Sequence, residues 1–313
     1  MSPNTCFRPL VLVMAALALC LPGLASAQDG WRGVSTDDWQ GYKVLTGGKG
    51  YVDAPLGQLH YRDTGPREDK HPIVLLHQSP MSMIQWAGVQ NALAARGIRS
   101  ITVDSPGYGM SDAPATQPSI EDYADNLVAL LDALELEKVV VGGHHTGAQV
   151  AVSLAARHGE RVQALVLHGS ALLTREEAET YLKSDLFPPR TPLPDGSHFA
   201  KRYQRANYTR QELLDALTWS VIGAYIQGPD IGHYAAFKYD MMPDIPKIKV
   251  PVLLLTDTSD PVHVTDERLH QMRPDFDYLV FSEGDLFEFM TQPERWADVY
   301  SEWRGKVLLK KAE

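Results

Sequence analysis

Cysteine is almost missing from this chain. Its 313 residues hold two, Cys6 and Cys20, and both fall in an N-terminal apolar stretch that reads as a leader. The rest of the chain has no thiol and no disulfide, so thiol catalysis is excluded and stability rests on core burial. No H-x-x-x-H or H-E-x-x-H spacing occurs, which removes the common helical zinc signatures. Basic charge is in deficit, 29 Lys and Arg against 39 Asp and Glu, for a net charge of −10. A surface of that sign disfavours nucleic acid and anionic membranes as partners. Internal repeats and low-complexity runs are also missing.

What stands at the N-terminus is a thin basic region at Arg8, an apolar run from Pro9 to Leu21, and the small-residue site Ala25-Ser26-Ala27. The run is too short for a comfortable transmembrane span and ends in an A-x-A site, so residues 1–27 read as a signal peptide cleaved before Gln28. The expectation is export through the general pathway to a periplasm or beyond, with no membrane insertion after cleavage.

Beyond the leader, strand and helix patterns alternate, which implies an α/β protein with a mostly parallel sheet and helices on both faces. Tyr51 to Asp53 and Gln58 to Arg62, around Pro55-Leu56-Gly57, suggest an antiparallel start. Ile73 to Leu76, Ser100 to Val103, Val139 to Val141, Val162 to Leu167, Val250 to Leu255 and Tyr278 to Phe281 read as further strands. Continuous apolar runs such as Ile73 to Leu76 are what a strand buried on both faces requires. Helices are expected over Ile84 to Ala95, after the capping pattern Ser119-Ile120-Glu121-Asp122, over Ala148 to Arg157, and from Pro293 to about Trp303. Between about Ser170 and Asp244 the strand rhythm stops, while prolines, helical stretches and aromatics accumulate. The organisation is therefore a core over 28–169, an inserted helical cap over 170–244, and a second core segment over 245–313.

Five residues, Gly143-His144-His145-Thr146-Gly147, have the glycine spacing of a nucleophile elbow, the sharp strand-to-helix turn that displays one side chain above a parallel sheet. Three further segments keep company with it. They are His77-Gln78-Ser79-Pro80 after the first buried strand, Asp104-Ser105-Pro106-Gly107-Tyr108-Gly109-Met110-Ser111-Asp112, and Leu253 to Val262 with Gly284-Asp285 beyond. In this order they resemble the α/β-hydrolase fold family over essentially the whole chain after the leader. The resemblance implies an eight-stranded, mostly parallel sheet with a helical cap. It also implies an oxyanion loop at His77-Gln78, a catalytic acid at Asp260, and Asp285 where the family carries its histidine.

The departures fall on the chemistry. In the family the order is nucleophile, acid, histidine; here those places hold His145, Asp260 and Asp285. A histidine on the elbow offers one ring edge to the cavity, while its other nitrogen can be held by Asp260 or Asp285. Such an imidazole can activate water against an ester, lactone or related carbonyl, or abstract a substrate proton and start an elimination or C–C cleavage. If both carboxylates ionise they favour imidazolium and spoil the base, so one of the two must be neutral or turned away. Backbone N–H groups of Gln78 and Thr146 are the expected oxyanion donors. No cofactor is implied, and the partner is a small molecule. A non-catalytic binding protein is the alternative, and activity abolished by His145→Ala separates the two. A metal centre is disfavoured, because adjacent His144 and His145 on a sharp turn are expected to point apart.

Around this centre, His77, Ser79, His168, Trp219 and His233 are the candidate substrate contacts. His77 also suits a buttress for the oxyanion loop, and His168 ends a strand at the carboxyl edge where open α/β sheets bind ligands. His144 is expected to pack into the interior, and Asp104 and Ser111 to hold the glycine-rich turn. Trp219, Tyr225, His233, Tyr234, Phe237 and Tyr239 form an aromatic set expected to make the cap core and roof the cavity.

Overall fold

A computed structural model describes residues 48–184, 193–227, 230–281 and 287–309. Eight strands form one sheet: β1 (Lys49–Ala54), β2 (Gly57–Thr64), β3 (Ile73–Leu76), β4 (Ser100–Val103), β5 (Val139–His144), β6 (Val162–His168), β7 (Val252–Asp257) and β8 (Asp277–Phe281). Their order across the sheet is β1-β2-β4-β3-β5-β6-β7-β8. β1 and β2 form the expected hairpin, and β2 also meets β4 antiparallel. Every pairing from β4 to β8 is parallel. The last two strands sit slightly off the expected ranges: β7 starts after Pro251, which has no N–H to donate, and extends to Asp257.

Side-chain alternation divides the core into two layers. Val74, Leu76, Val141, Leu165 and Leu167 face one side, whereas Ile73, Leu75, Val140 and Val166 face the other. Successive residues of a strand point to opposite faces, so a strand covered on both faces must be apolar throughout. The first face is covered by α2 (Ile120–Ala133) and α3 (Thr146–Arg157). The second is covered by α1 (Ala87–Ala95), by α10 (Pro293–Val307) and by the fully buried Trp86, Phe289 and Trp296. α2 begins in the expected capping box: Ser119 Oγ accepts from Asp122 N–H at 3.1 Å and Asp122 accepts from Ser119 N–H at 2.8 Å. The helical segment expected from Ile84 opens as a 3-10 turn, Met83–Trp86, before α1 starts.

Between β6 and β7 the chain forms α4 (Arg175–Lys183), α5 (Ser197–Ala206), α6 (Gln211–Gln227) and α7 (Ile231–Lys238), with no strand among the described residues. This segment arrives over the carboxyl edge of the sheet. Gly232, in the first turn of α7, donates its N–H to the Tyr108 hydroxyl at 2.7 Å. α8 (His263–Met272) and the short α9 (Glu288–Thr291) complete the elements. No helix of the described residues is long and apolar enough to cross a membrane.

Candidate active site

β5 ends at His144, and α3 starts at Thr146, so His145 alone makes the turn. Its φ of 47° and ψ of −112° lie outside the regions open to an ordinary L-residue, and a strained backbone of this kind persists only when its surroundings enforce it. The enforcement is visible in the flanking glycines. A Cβ on Gly143 would lie 2.2 Å from the carbonyl oxygen of Gly147, and one on Gly147 would lie 2.4 Å from that of Leu76. Backbone meets backbone there, and only glycine fits. The His145 N–H is spent on the turn itself, donating to Gly169 O at 3.1 Å.

The imidazole so displayed lies against Asp260, in the loop after β7. His145 Nε2 is 2.8 Å from Oδ2 and 3.0 Å from Oδ1. Asp260 Oδ1 also accepts from Val262 N–H at 2.9 Å. The carboxyl group is buried, a condition that alone would raise its pKa. The nearby His145 and His144 rings outweigh burial and hold it well below the usual carboxylate range. An ionised Asp260 beside Nε2 requires the proton of a neutral imidazole to sit there, which leaves the Nδ1 lone pair free. Nδ1 has no hydrogen-bond partner among the described residues, and the side chain keeps 19% of its exposure. Asp285 lies outside the described residues, so Asp260 is the carboxylate the structure places on the ring.

Gly169, with φ +62°, makes this approach feasible. A Cβ there would fall 2.6 Å from His145 Cδ2 and 3.1 Å from Asp260 Oδ2. Sequence reasoning passed over it, although a glycine directly after the strand-end His168 marked the close passage.

His144 contradicts one expectation. The two adjacent rings do not diverge: they stack at 4.0 Å with 27° between planes, and His144 Nε2 lies 3.6 Å from Asp260 Oδ2. The reason lies in the turn, because the positive φ of His145 swings its ring back over the strand end. Three ligand-type groups, His144, His145 and Asp260, therefore come together. Both Nε2 atoms face the same carboxylate oxygen, Asp260 Oδ2, which lies within hydrogen-bond distance of His145 and at 3.6 Å from His144. His144 is buried, edge-on to Phe287 and near Phe289, with neither ring nitrogen hydrogen-bonded. Burial first, then repulsion from His145, push its pKa well below the usual value, so it stays neutral.

The loop after β3 carries Gln78, one of the expected oxyanion donors. Gln78 N–H is directed to Gln85 Oε1 at 3.4 Å, whereas Ser79 N–H is directed to Thr146 Oγ1, also at 3.4 Å. Ser79 thus presents its N–H to the head of α3, where the expectation had Gln78. Thr146, the first residue of α3, has an N–H without an intrahelical acceptor.

His77 is a buttress rather than a substrate contact. Its Nε2 accepts from Ser105 N–H at 2.9 Å, so its proton must reside on Nδ1, which donates to Gln78 O at 2.8 Å. Burial lowers its pKa and keeps that tautomer neutral. His168 is fully buried. It pairs in register with His144, shares its buried side of the sheet, and meets Asp257 at 3.0 Å. Burial opposes its charge, but Asp257, with Asp260 and Asp266 beyond, raises its pKa overall. Trp219 is 60% exposed on α6, and His233 in α7 meets Asp230, the residue that caps that helix, at 2.7 Å. Of the aromatic set, Tyr239 is buried and Tyr234 exposed. Asp104 and Ser111 hold the glycine-rich turn as expected: Ser111 Oγ donates to Asp104 O at 2.6 Å, and Asp104 accepts from Met110 N–H.

The profile of the alpha/beta hydrolase fold matches residues 71–276. A non-heme chloroperoxidase of Streptomyces lividans is 31% identical over 230 residues, spanning 65% of this chain and 79% of that protein. A 2-hydroxymuconate semialdehyde hydrolase of Pseudomonas sp. (strain CF600) is 38% identical over 103 residues, spanning 32% of this chain and 36% of that enzyme. Among solved structures, a thermophilic esterase from Thermogutta terrifontis superposes with a TM-score of 0.65 at 21% identity, over 83% of this chain and 98% of its own. The enol-lactonase from Burkholderia xenovorans LB400 superposes with a TM-score of 0.62 at 21% identity, over 81% and 99%.

Proposed function

Given that the chain belongs to the α/β-hydrolase fold family, we propose that it hydrolyses a small ester, lactone or related carbonyl compound without a cofactor and without a serine nucleophile. The observation that carries this reading is the contact of His145 Nε2 with the ionised Asp260 carboxylate, which leaves Nδ1 as a free base above the sheet. A water molecule hydrogen-bonded to Nδ1 loses its proton to the ring as its oxygen adds to the carbonyl carbon. Asp260 holds the ring's tautomer and stabilises the imidazolium without taking the proton itself. The negative oxygen of the tetrahedral adduct is met by the N–H groups of Thr146 and Ser79. Collapse of the adduct breaks the acyl–oxygen bond, and the imidazolium returns its proton to the departing alkoxide. General-base assistance contributes about 10²–10⁴-fold, and the preorganised donors and substrate positioning supply the remainder.

A panel of aryl esters and small lactones tests the reading. Activity is expected in the native protein, lost in His145→Ala, and insensitive to serine-directed phosphonates and sulfonyl fluorides. Phosphonate labelling at any serine, or an active His145→Ala variant, would overturn it. The same base could instead remove a substrate proton and cleave a C–C bond. The local identity with 2-hydroxymuconate semialdehyde hydrolase justifies including 2-hydroxymuconate semialdehyde in the panel. We also propose that the protein is exported with loss of residues 1–27. N-terminal sequencing of the secreted form would then read from Gln28.

A further inference from the structure

Tyr208 lies in the link between α5 and α6, in the segment between β6 and β7. Its ring is partly buried against the second core layer and meets Phe287 edge-on, at 6.0 Å and 80°. Phe287 is in turn edge-on to His145 at 5.9 Å and to His144 at 4.9 Å. A short file of aromatic rings thus leads from the linking segment to the elbow. The Tyr208 hydroxyl has no hydrogen-bond partner among the described residues. The ring is half-buried while the hydroxyl stays open to an incoming ligand, and phenylalanine would pack against Phe287 equally well.

The phenol's electrostatics fit the same role. Burial first, then the negative charge of Asp260, push its pKa up to about 12 against the opposing charge of Arg202. A single ring, Phe287, separates the Tyr208 ring from that of His145. At working pH the group is therefore a proton-bearing donor and never a phenolate.

We propose that Tyr208 is a specificity-determining residue that donates a hydrogen bond to a second oxygen of the substrate, away from the carbonyl under attack. The preferred substrates are then small esters or lactones carrying an additional carboxylate or keto oxygen, rather than simple acyl esters. This inference rests on the hydrolase reading of the His145 site. A site built to hydrogen-bond a substrate group discriminates strongly against analogues that lack it, because its polar group is left unpaired.

The test compares native protein, Tyr208→Phe and His145→Ala on phenyl acetate and on succinic acid monophenyl ester. It is joined by calorimetric binding of the unreactive amides acetanilide and succinanilic acid. In Tyr208→Phe, kcat/KM for the succinate ester is expected to fall at least tenfold, mainly through KM, with phenyl acetate within twofold of native. Succinanilic acid binding should weaken in parallel. The melting temperature and the acid limb of the pH–rate profile should not move. Equal losses on both esters, or no loss on either, would overturn the role of Tyr208 while leaving the hydrolase reading intact. If His145→Ala still turns over both esters, the hydrolase reading fails, and the amide titrations then decide the Tyr208 contact alone.

Discussion

Replacing Asp260 by asparagine should be more damaging than its near-identical shape suggests, and the structure says why. Val262 N–H donates to Asp260 Oδ1 at 2.9 Å, so an amide at this position must turn its oxygen toward Val262. Its NH2 group then occupies the place of Oδ2, 2.8 Å from His145 Nε2. Two donors cannot face each other, and the imidazole must offer Nε2 as a lone pair and carry its proton on Nδ1. The base lone pair then disappears from the cavity side although no atom has moved. Aspartate-to-asparagine exchange behind a catalytic histidine costs about 10⁴-fold through the wrong tautomer, and the general-base contribution of about 10²–10⁴ sets the same scale. A fall in kcat/KM of roughly 10³–10⁴ is expected, at least as large as that of Asp260→Ala, whose ring can still choose its tautomer. Long-range ¹⁵N–¹H correlation spectra read that tautomer directly: proton on Nε2 in the native protein, on Nδ1 in the variant. Activity within tenfold of native, or an unchanged tautomer, would refute the reasoning.

Gly169→Ala should separate the dyad, because the new methyl would sit 2.6 Å from His145 Cδ2 on a backbone with φ +62°. A misplacement near 1 Å costs about 10²-fold in rate, and kcat measurements with circular dichroism as a folding control check this. His144→Leu removes two buried ring nitrogens that lack partners and should raise stability by about 1–3 kcal/mol; urea unfolding that shows a loss instead would mean those nitrogens are satisfied. Asp266, raised by burial to about 6, holds a proton in the folded state that the unfolded chain releases near 3.8. Stability should therefore fall by about 2 kcal/mol as pH rises from 4 to 6, and Asp266→Asn should flatten that slope in denaturant melts.

The fold was legible because its signals are local. The unbroken apolar run of β3, the capping box ahead of α2 and the paired glycines of the elbow each encode a backbone requirement that no tertiary context had to supply. The chemistry was legible only in kind. That an imidazole stands on the elbow could be read from Gly143 to Gly147, and Asp260 was one of the two carboxylates expected near it. Which ring nitrogen the carboxylate meets, and that His144 stacks on the same ring, depend on how the turn and the side-chain torsions aim the imidazole. Spacing carries no trace of either. Chain position alone cannot tell which peptide N–H a loop turns toward the helix head, so the contact of Ser79 N–H with Thr146 Oγ1 had no sequence signal. His168 looked like a ligand-edge residue by its place at the end of β6. Its pairing in register with His144 sends it into the interior, a fact of strand register rather than of composition.

In the mechanism proposed above, carboxylate contact through Nε2 has a bearing on reach. Nδ1 is bonded to the carbon that joins the ring to its stem, so the reactive lone pair lies close to the main chain rather than at the far tip of the side chain. A water activated there has to sit low, almost on the backbone of the bend, and any acyl carbon it attacks must come down to that depth. Compounds crowded next to the carbonyl would be stopped above it. Slim acyl groups with their bulk or polarity several atoms away would pass.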